Sequence, residues 1–224
     1  MTICIAALAD GGKRAVLVAD QLSMTEFCVG IESEDLPKIH LVGGDAAILT
    51  AGDFRLSHEI VDICRKTWPA TGQTDFTEFV RKAYQDYRSK RAEWKHLSPL
   101  GLDWKYVRDN QEKIHPSLAI QLHEFRLDVH LIAVRYEDGR CKVGMIEKTA
   151  ESFDVTNVGY GCIGEGAGMA TYCMVDLGHN KNMPLTEVTH IAKEAKKKSE
   201  RVPSVGTLTT VVAFPDDATA LGER

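Results

Sequence analysis

Six cysteines are present without a single Cys-x-x-Cys pair, and eight histidines without a His-x-x-x-His pair. Those absences remove the spacings that carry most zinc and dithiol chemistry, so neither a metal nor a cofactor is expected. Most of Cys4, Cys28, Cys64, Cys141, Cys162 and Cys173 sit in apolar stretches such as Thr2-Ile3-Cys4-Ile5. They read as buried reduced thiols rather than a disulfide framework. A basic excess is also lacking: 27 Lys and Arg face 32 Asp and Glu, for a formal net charge of -5. A nucleic-acid partner is therefore not expected. The short run Lys196-Lys197-Lys198 reads as the solvated face of a helix. No apolar run approaches the ~20 residues that span a bilayer, so no membrane partner is expected. The chain turns polar at Ala9-Asp10-Gly11-Gly12, which argues against a secretory leader and makes the cytoplasm the expected compartment. A glycine-rich nucleotide loop, internal repeats and low-complexity tracts are missing as well.

What is present suits one large domain. The chain has 224 residues, 44% of them hydrophobic, enough for a full core. We assign residues 1–214 to that domain and 215–224 to a polar, disordered tail. Thr2 to Leu8 is apolar and β-rich, Asp10-Gly11-Gly12 is a turn signal, and Ala15 to Ala19 forms a second strand. Phe27 to Ile31 and Lys38 to Val42 read as a second hairpin, followed by a buried strand, Ala46 to Ala51. A helix starts at Gly52-Asp53, with Leu56, Ile60, Ile63 and Cys64 on its apolar face, and stops at Trp68-Pro69. Another begins near Asp75 and buries Phe76, Phe79, Val80, Ala83, Tyr84 and Tyr87. Ser98 to Phe125 is helical in pieces. Strands follow at Asp128 to Tyr136, at Cys141 to Glu147 and in a further run ending at Ile163. Helices from Gly166 to Leu177 and through Leu185, Val188, Ile191, Ala192 and Ala195 precede a last strand, Thr207 to Phe214. Two stacked sheets with a helix pair outside each would bury all these faces at once. The pattern predicts an α+β fold, a four-layer α/β/β/α sandwich.

Three residues carry candidate chemistry. Removal of Met1 would leave Thr2 as the first residue, with its hydroxyl beside a free α-amine. That amine, with a reference pKa of about 7.7–8.0, can accept the hydroxyl proton near neutrality. Met-Thr starts are common, and an ordinary strand residue is the plain alternative. Asp20 ends the second strand, where a charge needs a partner, and Lys38 opens another. A lysine beside the threonine would favour loss of the hydroxyl proton, and an aspartate would orient that lysine. A structural ion pair at a sheet edge is the other reading of Asp20 and Lys38.

Thr2, Val18-Ala19-Asp20, Lys38-Ile39 and Thr50-Ala51-Gly52-Asp53 resemble, in order and spacing, the first-half motifs of proteasome β-type subunits and their bacterial homologues. Ile163-Gly164-Glu165-Gly166 is similar to that family's Gly-Ser-Gly turn, and Ser204-Val205-Gly206 to its Ser-Gly-Gly segment. The resemblance spans residues 2 to 214 and implies an N-terminal-nucleophile hydrolase. Thr2 would be the nucleophile, Lys38 its activator, Asp20 the group orienting Lys38, and the Gly52 N–H the oxyanion donor. Ser204, in the Ser-Gly-Gly-like segment, would be a further catalytic residue, and Thr50 and Phe54 would line a specificity pocket. The implied substrate is a peptide or unfolded protein, and the implied assembly a homo-oligomeric ring or related particle. Any ATPase feeding it would be a separate chain. Two positions depart from the family pattern: Glu165 stands where a serine is usual, and Arg201 where an aspartate is usual. A carboxylate there would hold the amine as an ammonium and blunt it as a base, unless Arg201 pairs with Glu165. An inactive assembly subunit and a small-molecule amidohydrolase on the same fold are therefore the alternatives.

Overall fold

The computed structural model describes residues 2–24, 30–32, 37–71 and 75–215. Beyond Pro215, the expected tail lies outside them, as does Cys28. Strands β1 (Cys4–Ala9) and β2 (Arg14–Asp20) form a hairpin in register from Cys4↔Ala19 to Ala9↔Arg14. β1 also pairs with β10 (Tyr160–Ile163), and β2 with β11 (Thr209–Phe214), giving a four-stranded antiparallel sheet. A second antiparallel sheet runs β5 (Ile39–Val42), β6 (Ala46–Gly52), β7 (Val129–Glu137), β8 (Arg140–Ile146), β9 (Ser152–Asp154).

Alternation along β1 and β6 explains the layering, because successive strand side chains face opposite ways. Cys4, Ala6 and Leu8 share one apolar cluster with Ala47, Leu49 and Ala51, so it lies between the two sheets. Ile5, Ala7 and Ala9 face α5 (Ala167–Asp176) and α6 (Leu185–Ser199) in a second cluster. Ala46 and Ile48 pack with residues of α1 (Phe54–Thr71) and α2 (Phe76–Ala92) in a third. α1 and α2 each have a reason to start where they do. Asp53 accepts the Leu56 N–H at 3.0 Å, and Asp75 accepts that of Glu78 at 3.0 Å, both N-caps. Two short helices, α3 (Trp104–Asp109) and α4 (Pro116–Glu124), fill the broken segment before β7. No helix among the described residues is long and apolar enough to cross a membrane.

Five expectations need correction. The strand at Lys38 to Val42 does not pair with Gly30 and Ile31, the described part of the expected partner run. β5 turns back through Gly43, whose φ is +69°, onto β6, and the local hairpin wins. β3 (Leu22–Met24) pairs instead with β4 (Gly30–Glu32); residues 27–29 lie outside the described chain. α1 runs through Pro69 to Thr71. A proline in a last turn forfeits one backbone bond, and Trp68, packed on Phe76 and Phe79, anchors that turn. Ile63 is exposed, because the buried stripe follows Leu56, Ile60 and Cys64. β11 starts at Thr209 rather than Thr207, since the Thr207 carbonyl is taken by a side chain of α6. That side chain is Lys196. It is buried rather than wet, and only Lys197 of its two neighbours is fully exposed.

Candidate active site

Strand ends bring Thr2, Asp20 and Lys38 together. Asp20 closes β2, and its backbone N–H donates to the Ile3 carbonyl at 3.1 Å, which sets it beside the start of β1. Lys38 directly precedes β5, its own carbonyl accepting the Thr50 N–H at 2.9 Å. All three are nearly sealed, with 1%, 1% and 7% of their surfaces exposed. The Lys38 ammonium donates to Thr2 Oγ1, and the Thr2 hydroxyl donates to Asp20 Oδ1. Lys38 Nζ also reaches Asp20 Oδ1 at 2.9 Å and the Leu22 carbonyl at 2.5 Å. Every donor of the buried ammonium thus has an acceptor.

Asp20 is similarly saturated. Besides Thr2 and Lys38, its carboxylate accepts Ile3 N at 2.9 Å, Gly206 N at 3.0 Å and Leu22 N at 3.3 Å. A carboxylate with this many donors is an orienting anchor: it cannot turn without abandoning several hydrogen bonds. On the far side, Gly166 N donates to the Thr2 carbonyl at 3.3 Å. Gly164 lies so close, at φ +99°, that a Cβ there would sit 2.2 Å from the same carbonyl oxygen. Only glycine permits that approach.

No protein-family model matches the chain, and no curated protein matches its sequence. Among solved structures it is similar to Anbu, an ancestral beta-subunit, from Yersinia bercovieri. The TM-score is 0.66 and the identity 15%, over 95% of this chain and 81% of that one. The fold is proteasome-like. At this identity the likeness shows the fold alone, and roles must come from the residues themselves.

The remaining expected residues of this proteasome-like fold scatter around the trio. Ser204 is buried, and its hydroxyl donates to Glu165 Oε2 at 2.5 Å. Glu165 therefore engages Ser204 rather than Arg201, which lies exposed. Gly52 ends β6 with φ +104°, and a Cβ there would meet the Asp128 carbonyl oxygen at 2.0 Å. Cys4 Sγ touches the Thr50 carbonyl at 3.3 Å, which brings the β6 end that carries Gly52 to the start of β1. Burial pushes the Cys4 thiol up to about 12, so it is a neutral neighbour and no rival nucleophile.

Thr50 is buried, but its hydroxyl contacts His40 Nε2 at 3.4 Å rather than Thr2. His40 meets His58 edge-on with ring centres 5.0 Å apart, and His58 packs on Phe54 at 4.4 Å. Thr50 and Phe54 thus share one histidine-rich corner, which sequence reasoning did not foresee. His40 is fully buried, and burial, with smaller contributions from His58 and Arg65, pushes its imidazole down to about 3. Sequence reasoning also missed Gly206 N as a ligand of Asp20, and Lys196. One signal for Lys196 was available: it follows Ala192 by four positions and precedes Ser199 by three, on the stripe that faces the core.

Proposed function

We propose that this chain is an N-terminal threonine peptidase that acts through Thr2 once Met1 has been removed. One observation carries the reading: Thr2 Oγ1 is hydrogen-bonded to a buried lysine ammonium while both lean on one saturated aspartate. A strand residue with no chemistry needs no such partners. The three apolar clusters support a four-layer α/β/β/α sandwich in which that trio sits at one end of the two sheets.

In this mechanism the freed α-amine takes the hydroxyl proton while Lys38 stabilises negative charge growing on Oγ1. Oγ1 forms a bond to the scissile carbonyl carbon, and the carbonyl oxygen becomes an oxyanion. The backbone N–H of Gly52 receives it, a donor role worth about 3–4 kcal/mol of barrier. The C–N bond then breaks, and the ammonium of Thr2 returns its proton to the leaving amine. Water attacks the ester carbon and gives a proton to the amine; the C–Oγ1 bond then breaks, the ammonium returns that proton to Oγ1, and a carboxylic acid leaves with Thr2 restored. Asp20 holds Lys38 in place throughout. Thr50 and Phe54, with the two histidines beside them, would line the pocket for one substrate side chain.

Peptides or unfolded proteins are the substrates this reading entails, together with a cytoplasmic home, a homo-oligomeric assembly and a separate ATPase where folded substrates are used. A second reading, an inactive subunit, rests on Glu165 beside the chain start. Its hydrogen bond to Ser204 engages the carboxylate that would otherwise hold the amine as an ammonium.

Intact-mass spectrometry tests the proposal. The native protein should lack Met1 and gain one adduct from a threonine-directed electrophile, and Thr2→Ala should abolish both the adduct and any peptide cleavage. Folded protein that keeps Met1, or cleavage that survives Thr2→Ala, would overturn it.

A further inference from the structure

We infer that Lys196 is a positioning residue for the Thr2 site, clamping the segment whose Gly206 N–H holds Asp20. The inference rests on Thr2 being the nucleophile, but its physical core is independent of that reading. Lys196 is 1% exposed. Its ammonium meets Glu200 Oε1 at 2.6 Å, the Gly206 carbonyl at 2.7 Å and the Thr207 carbonyl at 2.8 Å. Three donors find three acceptors. A lysine kept for solubility, paired with a glutamate four residues on, would leave its head in water and touch no distant backbone.

The two carbonyls belong to the segment that leads into β11, and the amide of that same Gly206 donates to Asp20 Oδ2 at 3.0 Å. A continuous path therefore runs from the Lys196 ammonium through Gly206 to the Asp20 carboxylate, and from Asp20 to Lys38 and Thr2. Asp20 is 1% exposed, so water has little access to replace a withdrawn N–H. The next turn of α6 touches the opposite flank. The Ser199 hydroxyl, whose nearer acceptor is the Ala195 carbonyl at 2.8 Å, also lies 3.2 Å from the Gly166 carbonyl, and Gly166 N donates to the Thr2 carbonyl at 3.3 Å. The helix is itself anchored by Val188, Ile191, Ala192 and Ala195 against β1 and β2. The C-terminal end of α6 thus fastens the Gly206–Thr207 segment on one side of Thr2 and lies against the Gly166 segment on the other. A displacement of about 1 Å at such a site can cost on the order of 100-fold in rate.

The test compares wild type with Lys196→Met in two measurements: acylation of Thr2 by a β-lactone, and amide exchange over residues 204–207. The variant should reach full labelling with unchanged half-saturating probe concentration, but with a maximal rate lower by about 10-fold to 100-fold. Exchange at 204–207 should rise by about 10-fold or more. Labelling at the wild-type maximal rate would overturn the inference, and so would a lowered extent of labelling at that rate, which marks a merely structural role. If Lys196→Met does not fold, Glu200→Gln replaces it. A maximal rate lower by about 3-fold supports the clamp, and an unchanged one refutes it. A wild type that takes no label defeats the nucleophile reading, and exchange alone then judges the clamp: unchanged protection at 204–207 overturns it.

Discussion

Two polar corners sit close together and obey opposite rules. At the Thr2 corner every buried charge is matched: Lys38 has three acceptors, Asp20 has five donors, and Lys196 behind them has three acceptors. At the histidine corner the buried groups are only partly matched. Among the described residues, His40 Nδ1 and His58 Nε2 have no hydrogen-bond partner. The difference follows from what each group can do. A lysine or aspartate cannot be sealed off without partners, whereas an imidazole can give up its charge and stay buried as a neutral ring. The first corner is therefore held by matched partners, while at the second His40 is kept neutral by burial and is poised to respond to acid.

The largest break in this comparison should come from Asp20→Ala. It removes the counter-ion of Lys38 and leaves the buried N–H groups of Ile3 and Gly206 and the part-buried N–H of Leu22 without their acceptor. Removing one partner of a buried ion pair typically costs about 3–5 kcal/mol. Chemical denaturation of the variant should show a loss of that size. A loss below about 1 kcal/mol would mean that the corner is hydrated and loosely held.

How much of this was legible beforehand depends on where the information sits. Strand runs such as Ile3 to Leu8 and Ala46 to Ala51, and the helical stripes of α2 and α6, could be read because apolar periodicity is a local property. Asp20 and Lys38 stood out because they lie at strand ends, where a charge has to be explained, and Thr2 stood out only with them and with the family resemblance beside it. The β5 pairing was misread because the turn at Gly43 and the shorter β3–β4 ribbon compete, and turn signals alone do not rank them. Lys196 was misread because its residue type overrode its position on the stripe. Its acceptors at Gly206 and Thr207 are carbonyls, which leave no mark in side-chain chemistry. Charge left a Glu165–Arg201 pair open as one alternative, but the nearby Ser204 hydroxyl is the partner Glu165 finds. His40 gave no warning at all: a lone histidine in an apolar strand reads as core.

The histidine corner supplies the next two tests, in decreasing size. His40 has an ordinary value of 6.5, lowered to about 3 in the folded protein. Between those values the unfolded chain binds the proton and the folded one does not. Stability is therefore complete above about pH 6.5 and declines as pH falls toward 3, by up to about 1.4 kcal/mol per pH unit. Denaturant midpoints should follow that slope, and His40→Leu should flatten it while leaving stability at pH 7 within about 1 kcal/mol of wild type. An acid slope unchanged by His40→Leu would assign it to other groups.

Thr50→Val is the smallest change. It keeps the shape of the side chain and removes only the hydroxyl that His40 Nε2 meets at 3.4 Å, a distance near the limit for a hydrogen bond. A contact that long is worth less than a typical 1 kcal/mol bond, so the loss should be about 0.5 kcal/mol. The hydroxyl supports the neutral imidazole only weakly, so the acid slope should persist in Thr50→Val. A loss above about 2 kcal/mol would show that Thr50 and His40 act as a matched pair, and the two corners would then obey the same rule.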